Sequence, residues 1–183
     1  MILTTERLML REIELSDLDE VCVYASNEDV LKYIQWGPND RQKTQNYIET
    51  CMVERKYKPR IDYDLVIVNR ETGCVIGGCA FIYYLEKNEA SIGYLLRTDC
   101  QRHGYAAEAC REIIRYCFEE LGVHRVYIKC DAENYGSYRV MEKCGLRREG
   151  YFVKARPRKF GLHEWRDELL YAILKEEWMD LQL

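Results

Sequence analysis

Residues 91–96 (Ser-Ile-Gly-Tyr-Leu-Leu) form an apolar, strand-like run. The turn-forming Gln101 to Gly104 follow, and from 106 to 121 apolar residues recur at helical spacing. Gly122 ends that helix, and a second strand-like run, 125–130, begins. A strand, a helix and a strand in immediate succession constrain the fold more than anything else in the chain. The helix carries the chain back across the sheet, so the strands flanking it must lie parallel. The runs upstream connect differently. Residues 62–68 and 74–83 are joined by the turn Glu71-Thr72-Gly73, and a third run, 90–97, follows the polar turn 86–89, which are hairpin signals. Antiparallel neighbours plus one parallel crossover predict an α/β architecture, a mixed and mostly antiparallel sheet with helices on both faces.

The remaining segments fit around that frame. Residues 4–13 alternate partly and predict one strand, after which Ser16-Asp17 reads as the cap of a helix carrying Leu18, Val21, Cys22 and Ala25. A broken stretch, 33–40, holds Trp36, Gly37 and Pro38 and leads into a helical segment, 41–57. A short helix, 135–144, stops at Gly145, and strand-like stretches around 151–153 and 168–174 finish the chain. Gly77-Gly78, inside a strand, predicts a bulge or close packing. With no repeat, low-complexity tract or linker, residues 1–183 are expected to form a single domain, long enough for a real core.

Composition excludes several classes of function. A net charge of −4 creates no positive field to draw nucleic acid, and clusters such as Arg147-Arg148 and 154–159 read as solvated strand ends or turns. No apolar run approaches the length of a membrane span. The nine cysteines are odd in number, contain no Cys-x-x-Cys pair and sit mostly among apolar residues, so they read as small buried side chains in a reducing cytoplasm. Three scattered histidines offer no metal site. His124 and His163 are expected to be structural or solvent-facing, and Cys100, three residues from His103, lacks the third orienting group of a nucleophilic dyad.

The turn at 101–106 carries chemistry. A chain leaving a strand and entering a helix on small residues exposes unpaired backbone N–H groups at the positive end of the helix dipole, a ready anion site. Gly104 has no side chain to obstruct a phosphate and Ala106 has almost none. Neither a P-loop Lys-Ser/Thr nor a Gly-x-Gly-x-x-Gly fingerprint is present, so a nucleotide-binding domain has no motif of its own here. A second constellation, Asn134-x-x-Ser137-x-x-Val140-x-Glu142-Lys143-x-Gly145, places Asn134 before a helix and Ser137 and Met141 on one helix face. Gln101-x-x-Gly104-x-Ala106 resembles the pyrophosphate-binding motif of the GNAT superfamily of acyl-CoA-dependent N-acetyltransferases. The second constellation is similar to the segment that lines the pantetheine arm in its RimJ/RimL-type branch. The opening Thr5-x-Arg7-Leu8-x-Leu10-Arg11 and closing Glu164-Trp165-Arg166-Asp167 runs also look like that branch.

The resemblance implies acetyl-CoA as cosubstrate and direct attack of an amine on the thioester. It assigns the splayed strand end, Leu95, Leu96 and Arg97 after Tyr94, to pantetheine and thioester. Backbone N–H groups of Arg102, His103, Gly104, Tyr105 and Ala106 would hold the pyrophosphate, with Arg102 adding charge. Asn134 would touch the pantetheine arm, and Ser137, near the sulfur, is the candidate acid. Two departures stand out: Ser91 where many relatives carry glutamate, and Met141 where many carry a tyrosine acid. They leave a non-catalytic acyl-CoA-binding regulatory module as the alternative. Asp167, Glu168, Glu89 and ordered water are the candidates for the base. The acceptor is either a protein N-terminal α-amine or a small-molecule amine, met by an aromatic wall of Tyr33, Trp36, Tyr47 and Tyr57. A homodimer is compatible with this reading.

Overall fold

The computed structural model describes residues 1–157 and 164–181. Eight strands form one sheet: β1 (Ile2–Thr4), β2 (Leu8–Glu12), β3 (Asp62–Asn69), β4 (Val75–Tyr84), β5 (Glu89–Leu96), β6 (Arg125–Asp131), β7 (Arg147–Pro157) and β8 (Trp165–Leu174). Their order is β1-β2-β3-β4-β5-β6-β8-β7, and among the described residues only β5 and β6 pair in parallel. Helices α1 (Leu18–Ala25), α2 (Glu28–Leu31) and α3 (Arg41–Glu54) precede β3. Helix α4 (Tyr105–Glu119) makes the crossover, α5 (Tyr135–Lys143) follows β6, and α6 (Lys175–Asp180) follows β8.

Layering explains the sequence pattern of the central strands. Leu65 and Ile67 of β3 pack toward α4 and α5 with Ile113, Phe118 and Met141, while Val66 and Val68 pack toward α1 and α3 with Val21, Tyr24 and Ile48. A strand covered on both faces reads as a continuous apolar run. Gly77 meets the expectation of close packing: a Cβ there would fall 2.3 Å from Leu95 O, a separation only glycine permits.

The N-terminal expectations need correction. Residues 4–13 are not one strand; Thr5 N–H bonds Leu8 O at 2.9 Å and Leu8 N–H bonds Thr5 Oγ1 at 3.0 Å, closing a turn between β1 and β2. Asp17 does not cap α1 through its side chain. Its carboxylate instead accepts from Glu14 N–H at 2.9 Å and from both terminal nitrogens of Arg11 at 2.7 and 2.6 Å, fixing a 3-10 turn at Leu15–Asp17 ahead of the helix. Arg156, expected to be solvated, is mostly buried against Glu168. Helices α2 and α6 are too short to show a period. Strand β7 lies at the sheet edge with most side chains exposed, so it lacks the alternation that would have revealed its full length.

Strands β5 and β6 separate, and this positions the site. Their pairing covers Glu89–Ser91 against Arg125–Tyr127 and then stops. Beyond it β5 continues to Leu96 against β4, and β6 continues to Asp131 against β8. A crevice opens between them, with α4 and α5 starting near its mouth.

Candidate active site

The turn before α4 has the backbone an anion site requires. Arg102 and Gly104 both take left-handed conformations, φ 67° and 84°, and Gly104 is the N-cap residue without a side-chain cap. The first α4 amide with a backbone acceptor is that of Glu108, on Gly104 O at 3.1 Å. Among the described residues, no acceptor meets the N–H groups of Arg102 through Ala107. Orphan donors at a helix start attract phosphate oxygens through hydrogen bonds and the helix dipole. A Cβ on Gly104 would meet Arg7 Nη2 at 3.4 Å, so the guanidinium stands directly beside the turn.

Arg7, beside this turn, is a residue that sequence reasoning assigned no role at the site. Its Nη1 donates to His103 O at 3.0 Å, its Nε donates to Glu108 Oε2 at 2.7 Å, and its guanidinium lies 4.6 Å from the Tyr105 ring centroid. Thr5 Oγ1 donates to the same Glu108 at 2.6 Å. The β1–β2 turn thus clamps the loop that carries the orphan amides. The only sequence signal was the Thr-x-Arg spacing; its target lies about a hundred residues downstream.

The crevice supplies the second half of the site. Arg97 N–H bonds Ile76 O at 2.9 Å, so by strand alternation the backbone groups of Leu96 and Tyr94 face away from β4, toward the opening. Leu95 presents its backbone to β4 and its side chain to the α1 face. Across the opening, Asn134 caps α5 with Oδ1 accepting from Ser137 N–H at 3.1 Å. The Tyr94 hydroxyl spans the gap, donating to Ser137 O at 2.9 Å and lying 3.2 Å from Ser137 Oγ. Burial raises the Tyr94 pKa well above the usual phenol value, so the hydroxyl stays protonated. The Ser137 hydroxyl thus stays within hydrogen-bond distance of Tyr94 oxygen. Met141 is fully buried on the core face of α5 and carries no proton.

Residues 7–147 match the family described as an acetyltransferase (GNAT) domain. The chain belongs to the GNAT acetyltransferase family. An N-acetyltransferase of Bacillus subtilis strain 168, YnaD, whose function is uncharacterised, is 37% identical over 176 residues, covering 96% of this chain and 98% of the relative. The crystal structure of a GNAT-family acetyltransferase from Bacillus anthracis superposes with a TM-score of 0.84 at 35% identity, covering 96% and 99% of the two chains. RimL, a ribosomal L7/L12 α-N-protein acetyltransferase solved with coenzyme A, shares the fold at a TM-score of 0.84 and 18% identity, covering 95% and 98%. This GNAT chain is therefore an acetyl-CoA-dependent N-acetyltransferase, and membership favours catalysis over the non-catalytic binder that Ser91 and Met141 leave open. Orphan amides, an unobstructed glycine and an open strand edge are the features a diphosphate and a pantetheine amide require.

On the α1 face the GNAT sheet holds a cavity of about 440 Å³. Gly93, Tyr94 and Leu95 form one wall, so it adjoins the open edge of β5. Of the four aromatic residues expected on the acceptor side, Trp36 and Tyr47 line this cavity, joined by Tyr24. Tyr33 lines a neighbouring cavity of about 350 Å³, and Tyr57 is exposed and lines neither. Tyr47 donates to Asp64 Oδ1 at 2.7 Å. Desolvation raises the Asp64 pKa, partly opposed by hydrogen bonds from Tyr47 and Cys51, and the Cys51 thiol is itself pushed up to about 12 by burial.

The three carboxylates read from sequence as bases are engaged elsewhere. Glu168 meets Lys129 at 3.1 Å and Arg156 at 3.2 Å, and Glu89 meets Arg125 at 2.9 Å. Asp167 accepts from the Tyr151 hydroxyl and, at 2.8 Å, from Lys154 N–H; these bonds lower its pKa on the exposed hairpin. Cys100 donates toward Asp99 at 3.6 Å, and burial first, then that carboxylate, raise its pKa, leaving a thiol rather than a thiolate. His124 Nδ1 lies 2.9 Å from Asn88 O, a structural role, and His163 lies outside the described residues.

Proposed function

We propose that residues 1–183 act as one N-acetyltransferase domain whose acceptor is a small-molecule amine entering the cavity beside β5. The carrying observation is the cavity's lining, with Tyr24, Trp36, Tyr47 and Asp64 standing beside the open edge of β5. Gln35 Nε2 donates to Pro157 O at 3.0 Å and Arg156 Nη2 donates to Tyr33 O at 3.0 Å, tying the segment between α2 and α3 to the end of β7 at the neighbouring cavity. A cavity of about 440 Å³ suits a compact ligand better than an extended chain. A protein N-terminus is the second reading, supported by the fold shared with RimL and by the adjoining cavity near Tyr33 and Arg166.

In this reading the amides of Arg102 to Ala106 hold the pyrophosphate of acetyl-CoA, which supplies the activated acetyl thioester. The backbone of Tyr94 and Leu96 bonds the pantetheine arm and the thioester carbonyl, with Leu95 and Arg97 flanking it, and stabilises the developing oxyanion. Asn134 holds the start of α5, and Ser137 delivers a proton to the departing sulfur after turning from Tyr94. The nine unpaired thiols support a reducing, cytoplasmic setting.

The test is thiol release from acetyl-CoA with a panel of small primary amines and of short peptides bearing free N-termini. Small amines are expected to be turned over with the higher kcat/KM. Faster turnover of the peptides would transfer the assignment to protein N-termini.

A further inference from the structure

The acceptor cavity contains one feature that acetyl transfer alone leaves without a role. Asp64 sits on its wall, partly desolvated, with only neutral donors, Tyr47 and Cys51, upon it. Among the described residues no Lys or Arg lies within 4.0 Å of its carboxylate. Arg60, whose charge acts on Asp64 from farther away, hydrogen-bonds both oxygens of Glu12 at 2.7 and 2.9 Å. A carboxylate lining an apolar and aromatic cavity without an ion-pair partner in contact is costly, and a bound cation relieves that cost. Tyr24, Trp36 and Tyr47 add aromatic rings to the lining, surroundings that suit an organic ammonium.

Register sets the distance from this charge to the reaction. Asp64 lies opposite Ala80, and Ala80 lies opposite Gly93 on β5. Two strand spacings separate Asp64 from Gly93, about 10 Å. The positions between them are cleared: Ala80 is small, and a Cβ on Gly93 would meet nothing within 4 Å. A short aliphatic chain plus an ion-pair contact spans that row.

We propose that the acceptor is a small aliphatic diamine, one ammonium pairing with Asp64 among Tyr24, Trp36 and Tyr47 while the other amine, uncharged, meets the acetyl carbonyl at the open edge of β5. This rests on the small-amine reading above and narrows it. The nitrogen lone pair forms the new C–N bond, the C–S bond breaks with its electron pair on sulfur, and the proton lost from nitrogen is balanced by one gained at sulfur. The products are the monoacetylated diamine and the free thiol of coenzyme A.

The experiment compares kcat/KM for diaminobutane and diaminopentane with that for butylamine, in the wild type and in Asp64→Asn. The wild type is expected to prefer the diamines by about tenfold or more, the value of one useful charge contact. Asp64→Asn should reduce that preference to near unity while titration shows coenzyme A still bound. Equal use of butylamine by the wild type, or a preference that survives Asp64→Asn, overturns the proposal. Should Asp64→Asn lose coenzyme A binding through misfolding, Ala80→Leu tests the same row by filling it. Loss of the diamine preference there supports the proposal, and its retention overturns it. Turnover of peptides alone would sink the diamine and the small-amine reading but leave acetyl transfer standing. Coenzyme A bound with no amine turned over would instead locate the failure in the reading of the catalytic site.

Discussion

Ser137 and Tyr94 are coupled by a contact that neither residue makes alone. The Ser137 hydroxyl lies 3.2 Å from Tyr94 oxygen, and the Tyr94 proton is directed at Ser137 O. A serine held this way is oriented but must rotate to reach a sulfur atom. General acids contribute about 10²–10⁴-fold. Thiolate is a good leaving group, so Ser137→Ala is expected at or below the lower end of that range, with kcat down roughly tenfold to a hundredfold. The KM for acetyl-CoA should barely move. Tyr94→Phe removes the partner but not the acid, and should cost less. Because the two side chains touch, the double variant should fall short of additivity by an interaction energy of about 1 kcal/mol. Steady-state kcat values for the four proteins measure this. Strict additivity would mean the contact has no part in turnover, and unchanged kcat in Ser137→Ala would remove it as the acid.

At the scale of elements, the start of α4 depends on the turn between β1 and β2. Arg7 bonds His103 O and Glu108, and Thr5 and the Arg7 amide bond the same carboxylate. Arg7→Ala should leave the sheet intact, since its side chain is 44% exposed, but release the loop from its clamp. Ordering a loop residue costs about 1–2 kcal/mol, so coenzyme A affinity should weaken roughly fivefold to thirtyfold. Calorimetric titration would show it, and unchanged affinity would mean the loop holds its shape unaided. Acid should act on the same clamp. Burial alone would raise the Glu108 pKa, but bonds from Thr5 and Arg7 outweigh it and hold the value below 4.5. The clamp is thus at full strength above 4.5 and is lost as pH falls through the depressed value. The elements themselves were mostly legible: α4 was expected at 106–121 and observed at Tyr105–Glu119, because its apolar period is contained in a local window. The clamp was not, since Arg7 and Glu108 are 101 positions apart. Asp64 escaped notice for a related reason. In β3 it continues the polar alternation begun by Asp62, and only the packing of α3 places Tyr47 upon it. The turn of orphan amides at Gly104 was readable from small residues between a strand and a helix; the bonds of Gln35 to Pro157 and of Arg156 to Tyr33, more than a hundred positions apart, were not.

Across the whole molecule, the splay divides the sheet into two halves, β1–β5 and β6–β8, that among the described residues share strand pairing only over Glu89–Ser91 and Arg125–Tyr127. Beyond that short ladder the halves are held by the core around α4 and α5 and by side-chain bridges such as Tyr94 to Ser137. A ligand lodged in the crevice would occupy backbone groups of β5 and of the α4 start together, joining what the ladder does not. Its effect on stability should therefore be global. Coenzyme A at about a hundredfold above its Kd should add ~2.7 kcal/mol. For a chain of this size each kcal/mol moves Tm by about 2–4 °C, so the midpoint should rise roughly 5–10 °C. Hydrogen exchange locates the cause: amides of Tyr94, Leu96 and residues 102–107 should slow markedly, while those of the β7 edge, remote from the crevice, should slow only as far as global stability requires. Protection concentrated on β7 with none at 102–107 would place the ligand elsewhere and remove the opened strand edge as the reason this sheet is built in two halves.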